Sequence, residues 1–582
     1  MTDAPAPAKV VDMATITEGS AIMKFPADQE STVFYNPVQV QNRDLSVLMI
    51  SLYAERRAVR TAVKLKKKEF RAQGITKQDE LNVKLEEYEK TLNGKQLVAE
   101  QQKDGDSGLT IMDALAASGL RSIRYWKEIA GVKHVTINDL DEAAVERAHS
   151  NLENNNLQDV VCASNETRPK GICVNHGDAT HEMYMSRRPQ QLREPGATQL
   201  KQLPMWDVID LDPYGSAAPF LDGAVQAVES GGLLCITCTD MAALGGSHPE
   251  TAYGRYASLP IQSARYLQEL ALRILLHTIS VSAARYGRTI RPVLSVGMAF
   301  YVRVFVEVND DKQGVTDLSL NIGNVYQSTK CPSFVVLPHG IKGGNKKNVY
   351  QSIRLTPSHC EETGAPFKVG GPLWLGPLHD QQVITSALDR LSSPDNTCPD
   401  MKIIATRARL QGLLTSVSEE IDTPLYFQLP DLCQTLHSSC PPQRSFMAAL
   451  RSAGYQVSGY HKDPSAIKTN APNSVVWDAL RQWVKENPLA KTPAEGSPAA
   501  LILAKEPSST VFDFTIPKSA LKKNNSTVRR FPQNPEKHWG PKRMASGFKR
   551  KVEGEEGVEE PQTKRGSPGE EADADITVEE AK

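Results

Sequence analysis

The stretch Asp210-Leu-Asp-Pro-Tyr-Gly215 ends the apolar run 206–211 with a carboxylate, a proline, an aromatic ring and a glycine. Such a loop suits an arylamine. The lone pair of an arylamine is delocalised into its ring, so the nitrogen is a poor nucleophile. A carboxylate from Asp212 and the carbonyl of Pro213 could accept its two N–H groups, fixing the amine and drawing off positive charge as an electrophile arrives. Pro213 lacks an N–H and has a fixed φ, which stiffens the loop. Tyr214 offers a face on which a base can stack, and Gly215 permits the turn. The same residues also make good β-turn chemistry. Their position at the end of a strand favours the catalytic reading, because open α/β sheets bind ligands beyond the carboxyl ends of their strands.

Three other strand ends carry suggestive groups. Asp113-Ala-Leu-Ala-Ala-Ser-Gly119-Leu-Arg121 has small residues that let the backbone approach a ligand, but Gly119 is its only glycine. The three-glycine dinucleotide fingerprint is absent, which weakens a pyrophosphate reading. Asp139 follows about twenty residues after Gly119, where an acid can accept hydrogen bonds from a ribose diol. It could equally cap the next helix. Gly177-Asp178-Ala179 offers a further carboxylate, placed to hold adenine through its exocyclic amine. A nucleoside-bearing cofactor without a diphosphate fits these ends, and S-adenosylmethionine is the obvious one.

The elements that must position these ends follow from periodicity. Short apolar runs at 109–112, 134–138, 172–175, 206–211 and 232–237 read as strands, with helices at 119–129, 142–154 and 217–229 between them. That alternation predicts a doubly wound parallel sheet. A long helical pattern at 261–286 precedes 293–308, which supplies one or two last strands. Residues 62–106 are highly charged and read as an exposed helical insertion. From 312 to 505 the periodicity is less regular, with helices at 381–391, 404–419 and 475–486, predicting a second domain of mixed α+β character. Residues 1–17 are expected to be flexible. Residues 506–582, basic and then acidic with few large apolar side chains, are expected to be a disordered tail.

Lys+Arg of 67 against Asp+Glu of 68 gives a net charge of −1, so any nucleic-acid site must be local. Nine scattered cysteines read as reduced thiols rather than a disulfide framework. No apolar stretch reaches the ~20 residues that cross a bilayer. The N-terminal residues lack arginine, which disfavours a mitochondrial transit peptide.

Asp212-Pro213-Tyr214 resembles the D/N-P-P-Y/F signature of methyltransferases acting on exocyclic amino groups. Together with "DALAASGLRSIRY", "EGSAIMKFP", "VFYNPVQVQNRDLSV", "GGPLWLGPLHD" and "HKDPSAIKTNAP", it resembles the tRNA guanine-26 N2-dimethyltransferase family over about 18–505. The resemblance implies a class I, Rossmann-like α/β methyltransferase domain at 18–311 and a tRNA-binding domain at 312–505. It also implies transfer of one and then two methyl groups from S-adenosylmethionine to guanine N2. Carried over by motif, Arg43, Arg121, Asp139, Asp178 and Ala179 would hold the cofactor. Asp212 with Pro213 would be the catalytic acceptor, and Phe34 and Tyr214 would flank the guanine. Relatives can carry a four-cysteine zinc site. Here only Cys331 and Cys360 match it, too few for a closed tetrahedral site unless His359 and a distant ligand complete it, so no metal is expected.

Candidate phosphate-binding clusters are Arg56, Arg57 and Arg60; Lys342, Lys346 and Lys347; and the tail at 529–551. Lys542-Arg543 followed by Lys549-Arg550-Lys551 resembles a bipartite nuclear import signal. The nucleus is therefore the expected compartment, with mitochondrion and cytoplasm as alternatives. A monomer is assumed. The rival readings are a non-catalytic RNA-binding protein on a methyltransferase fold, and an amino-methyltransferase of DNA or of protein glutamine.

Overall fold

The computed structural model describes residues 13–26, 35–75, 77–104, 107–163, 165–187, 203–345, 348–353, 357–394, 402–516 and 528–532. It opens with a hairpin, β1 (Met13–Glu18) and β2 (Ala21–Pro26), followed by α1 (Val40–Ala72), α2 (Gln78–Lys90) and α3 (Gly94–Asp104). The alternating region then runs β3 (Leu109–Asp113), α4 (Leu120–Glu128), β4 (Val132–Asp139), α5 (Glu142–Asn154), β5 (Gly171–His176), α6 (Ala179–Met185), β6 (Trp206–Leu211), α7 (Ala218–Ala227) and β7 (Val228–Cys238). After α8 (Met241–Leu244), α9 (Pro249–Tyr256) and α10 (Leu267–Ala284), the hairpin β8 (Arg288–Met298) and β9 (Tyr301–Asp310) completes the sheet.

The sheet has seven strands in the order β5-β4-β3-β6-β7-β9-β8. β3 to β7 are parallel, and β9 is antiparallel to both β7 and β8. This is the class I, Rossmann-like methyltransferase arrangement. The strands are near-continuous runs of Val, Ile and Leu because both faces are covered. Ile111, Val135, Ile172 and Val208 pack against the α1, α4 and α5 side; Ile209, Leu234 and Val304 pack against α7 and α10.

Three expectations need correction. The flexible N-terminus does not extend to residue 17: residues 13–18 form β1, and Ala21, Met23 and Phe25 opposite are buried. The charged insertion does not begin at 62. Helix-forming composition is continuous through Val40–Ala72, so nothing stops α1 there, and α2 and α3 bury Leu81, Leu85 and Val98. The tail is not disordered from 506. Phe512 is buried in the C-terminal core, its backbone N–H donates to Gln482 Oε1 at 2.8 Å, and Phe514 packs on Trp483.

The C-terminal part comprises α11 (Lys312–Thr316), β10 (Ile322–Ser328), β11 (Phe334–Pro338), β12 (Gly340–Asn345), β13 (Asn348–Ser352), β14 (Phe367–Trp374), α12 (Gln381–Ser392), α13 (Arg407–Ser418), β15 (Phe427–Gln428), α14 (Leu429–Leu436), α15 (Gln443–Ser452), β16 (Val457–Tyr460), β17 (Asp463–Thr469), α16 (Asn473–Glu486) and α17 (Pro498–Leu503). Its short sheets, β11-β10-β14, β12-β13 and β15-β17-β16, are antiparallel. Among the described residues no helix is long and apolar enough to cross a membrane.

The first basic cluster is committed to the fold rather than presented to a ligand. Arg56 and Arg60 bond Glu307 on β9 at 2.8 and 2.9 Å, Arg291 on β8 bonds it at 2.7 Å, and Arg57 bonds Asp207 at 2.6 Å. Burial pushes the Glu307 carboxyl up, but the three guanidiniums override it and hold it below the usual range. Glu307→Ala would leave these cations facing one another. It should lower stability by about 2–3 kcal/mol, the outer sides of Arg60 and Arg291 being solvated. An unchanged denaturant midpoint would show the clamp to be idle.

Candidate active site

The sequence order of the strands reverses between β3 and β6, the switch point at which an open α/β sheet has its ligand crevice. Asp113 ends β3 and pairs in register with Asp210. Two residues further, Asp212 leaves the sheet with its side chain only 18% exposed.

Beneath the loop lies a buried polar network. Asp210 is fully buried and accepts from both terminal nitrogens of Arg303 at 2.9 and 2.7 Å and from the Tyr125 hydroxyl at 2.5 Å. Arg121 Nη1 lies 3.5 Å from Asp210, and its other terminal nitrogen donates to Asp212 Oδ2. Both arginines also donate to Ser46 Oγ on α1, Arg121 at 3.2 Å and Arg303 at 2.8 Å. Burial raises the Asp210 carboxyl, yet Arg303 and Arg121 hold it below its ordinary value. Two carboxylates and two guanidiniums thus neutralise one another out of water, the condition under which buried charge is tolerated.

Asp212 Oδ1 accepts no hydrogen bond from the described residues, so the carboxylate has one oxygen held and one open. Tyr214 beside it is 51% exposed, a large ring standing at the crevice. Gly215 adopts φ +87°, a left-handed conformation that a side chain would strain. Its N–H donates to Thr239 Oγ1 at 2.7 Å, and Thr239 N–H returns a bond to Gly215 O at 2.9 Å, which pins the loop to the end of β7.

The expected cofactor residues are placed unevenly. Asp139 lies at the end of β4, where Oδ2 accepts from Ala117 N–H at 2.7 Å and Oδ1 from Asp141 N–H at 3.0 Å. It fastens the 114–119 loop, and Asp141 rather than Asp139 caps α5. Asp178 is exposed and caps α6 through Oδ1, with Ala179 buried as its first helical residue. Arg121 donates to Asp212 Oδ2 at the crevice. Arg43 spends its Nε and Nη2 on Glu18 at 2.6 and 2.5 Å and lies over Tyr35, tying the β1–β2 hairpin to α1. Phe34 lies outside the described residues.

Residues that sequence reasoning missed include Asp210, Arg303, Tyr125, Ser46 and Thr239. A signal existed for two of them: a lone arginine in the apolar strand "YVRVFVEV" must be paired if buried, and Thr239 follows the fifth strand as Asp212 follows the fourth.

A family model described as N2,N2-dimethylguanosine tRNA methyltransferase matches residues 9–481. The chain belongs to this family. It is 40% identical over 91% of its length to the tRNA (guanine(26)-N(2))-dimethyltransferase of Schizosaccharomyces pombe, covering 92% of that protein. It is 36% identical to the human enzyme of the same name, covering 92% of this chain and 78% of the relative, and 32% identical to the mitochondrial enzyme of Saccharomyces cerevisiae, covering 92% of each. The solved structure of Trm1 from Pyrococcus horikoshii with S-adenosyl-L-methionine superposes with a TM-score of 0.58 at 24% identity, over 80% of this chain and 99% of that one, which supports the fold.

The motifs that tie the C-terminal part to the family reach back to the sheet. His379 and His461 flank Glu420, three potential ligand atoms within 4.8 Å of one another. Gly297 N–H donates to His461 Nε2 at 2.9 Å, so the proton sits on Nδ1, which bonds Glu420 Oε1 at 2.7 Å. A metal on Nδ1 would have to displace that proton, so the group is a hydrogen-bonded clamp between β8 and the C-terminal domain. Lys468 bonds Glu269 of α10 at 2.6 Å in the same manner. Cys331 and Cys360 stand 3.6 Å apart with Ser328 and Thr363 as neighbours, while His359 is exposed. Cys235 and Cys238 are buried, and burial raises both thiols.

Asp113 faces this charge cluster from β3. Burial pushes its carboxyl up to about 7, against the pull of Arg121, with Asp210 adding to the rise and Ser122 donating to it at 2.7 Å. A folded pKa above the unfolded value near 4 gives stability that is full at low pH and lost as pH rises through about 7. Asp113→Asn should therefore gain melting temperature relative to wild type between pH 5 and 8; a difference that does not vary with pH would exclude this carboxyl as the source.

Proposed function

We propose that this chain transfers one and then a second methyl group from S-adenosylmethionine to the exocyclic N2 of guanine 26 in tRNA. The observation that carries the reading is Asp212: it stands at the switch point with Oδ2 fixed by Arg121 and Oδ1 open beside the Tyr214 ring. Relatives matching over nine-tenths of the chain bear the name of this activity.

The residues present fit the cofactor. The 114–119 turn, with Ala117 and Gly119 at φ +50° and +73°, carries small side chains at all its positions but Leu115, which packs on the core. Asp139 is fastened with lone pairs to spare for a ribose diol, and Asp178 keeps Oδ2 for an amine. When bound, S-adenosylmethionine supplies an already activated methyl group, so the protein's task is chiefly positioning.

Guanine N2 in a stacked pair is out of reach of the crevice, so the base must swing out. Tyr214 receives one face of it, and Phe34 is proposed for the other. Asp212 Oδ1 accepts one N–H and the Pro213 carbonyl the other, aiming the nitrogen lone pair along the line of transfer. As positive charge grows on nitrogen, the Asp212 carboxylate stabilises it and accepts at Oδ1 the proton that the methylated nitrogen sheds, from where it passes to solvent, and Arg121 keeps that carboxylate from turning away. The basic tail at 542–551 lies outside the described residues and supports nuclear import as part of the proposal.

Undermodified tRNA incubated with the chain and S-adenosylmethionine, then digested to nucleosides, should yield N2-methylguanosine followed by N2,N2-dimethylguanosine at position 26; no methylated guanosine would sink the assignment. Asp212→Asn should slow single-turnover transfer about 10²–10³-fold while cofactor affinity stays close to wild type. Near-normal turnover would remove Asp212 from the mechanism.

A further inference from the structure

A second cavity, of about 560 Å³, lies at the same edge of the sheet, between the turn of the β8–β9 hairpin, the start of α1, α13 and the segment 530–532. β9 runs antiparallel to β7, with Val302 opposite Cys238, so its first residues lie beside the carboxyl end of β7, where Thr239 pins the Asp212 loop. Tyr301 lines the cavity. Two residues on, along the same face of the strand, Arg303 grips Asp210. The cavity therefore adjoins the catalytic crevice.

Its lining is cationic and aromatic. Lys462 hangs its ammonium on the Ala299 carbonyl at 3.0 Å, and no described carboxylate lies within ion-pairing distance of it. Burial pushes Lys462 below its ordinary range, and it pushes Arg409 down likewise, against a rise from Tyr301. Arg409 Nε also leans on Gln41 Oε1 at 3.4 Å. The C-terminal tail closes one side of the cavity. Arg530 bonds both oxygens of Glu419 at 3.0 and 2.6 Å, and the Arg529 carbonyl lies where a Cβ on Gly412 would stand, 2.1 Å away. Glycine at 412 is what lets this stretch of tail lie on α13. Phe531, 45% exposed, then stands at the rim. The clamp of Glu420, His461 and Gly297 fixes the residue next to Lys462.

We propose that this cavity is a second RNA subsite, holding a nucleotide of the strand that flanks the flipped guanine. The phosphate lies between Arg409 and Lys462, and the base stacks on Phe531, which the Arg530–Glu419 pair holds at the rim. The inference rests on the tRNA reading above and gives that reading its missing basic surface. A volume of this size suits one nucleotide unit. Clustered cations with an exposed ring are the chemistry by which single-stranded nucleic acid is gripped without base-edge readout. A tail segment that covered the cleft to inhibit it would be expected to bring acids to Arg409 and Lys462; this one brings Arg530, already paired with Glu419, and an exposed ring.

The test uses the full chain, unmodified tRNA and a short fluorescent single-stranded ribo-oligonucleotide. The double variant Arg409→Ala/Lys462→Ala should weaken binding of both RNAs by about 10- to 100-fold, reduce the slope of log affinity against log salt by about 1, and place its loss on KM for tRNA. Phe531→Ala should weaken the oligonucleotide by about 5- to 100-fold. Arg409→Lys/Lys462→Arg should restore most of the affinity, and S-adenosylmethionine binding by calorimetry reports whether each variant is folded. Wild-type affinity and salt slope in folded Ala variants would overturn the subsite, as would tighter binding by Phe531→Ala, which would mark the segment as a blocking one. If wild-type protein fails to methylate tRNA while these variants still lose oligonucleotide, the functional reading falls and the subsite stands.

Discussion

Asp210 is a carboxylate with no access to water, and much of the crevice end of the sheet is arranged around keeping it compensated. It needs Arg303 from the last strand, Tyr125 and Arg121 from α4 and, through the arginines, Ser46 from α1. Removing any one cation would strand a charge at a cost of roughly 3–5 kcal/mol. The loop at 212–215 is thus specified non-locally. Its local sequence would make an ordinary turn, and the network below decides that Asp212 faces Arg121 across the crevice while Gly215 is held to β7.

The same use of buried charge joins the two halves of the chain. Asp44 on α1 accepts from Arg124 at 2.7 Å and from Thr406 at 2.8 and 2.7 Å; Glu269 on α10 takes Arg273 and Lys468; Glu420 takes the two histidines that meet β8. Each joint places an acid where burial would otherwise forbid it. The C-terminal domain therefore acts on the methyltransferase sheet as a set of polar plugs.

The sheet was legible because period and length decide it. The apolar runs lie within a few residues of the observed strands, and 142–154 and 206–211 coincide with α5 and β6. The charged helices were harder. Composition marks a helix but cannot say which arginine meets which acid, so Arg56, Arg57 and Arg60 read as a basic patch although Glu307 and Asp207 neutralise them. The pairing of Arg121 with Asp212 was hidden for the same reason: it depends on how α4 sits over β3 and β6, which no local pattern encodes. Phe512 and Phe514 are hard to read from sequence because a short apolar alternation beside a long charged tail is too little to predict docking, yet they find a groove already built by α14 to α17.

The half-open carboxylate also bears on where the proposed reaction stops. Guanine N2 carries two N–H groups, one for Asp212 Oδ1 and one for the Pro213 carbonyl. The first transfer consumes one, so the monomethyl amine can still reach Oδ1 once it rotates, and the site grips it well enough for a second turn. The second transfer consumes the other. A dimethylated nitrogen has no N–H left to offer, while Oδ1 would then face two methyl groups with its lone pairs unpaired, a cost of about 1–3 kcal/mol that favours leaving. Because Arg121 holds Oδ2, Asp212 cannot swing aside to relieve that cost, and the geometry that orients the amine for transfer also disfavours retention of the finished product.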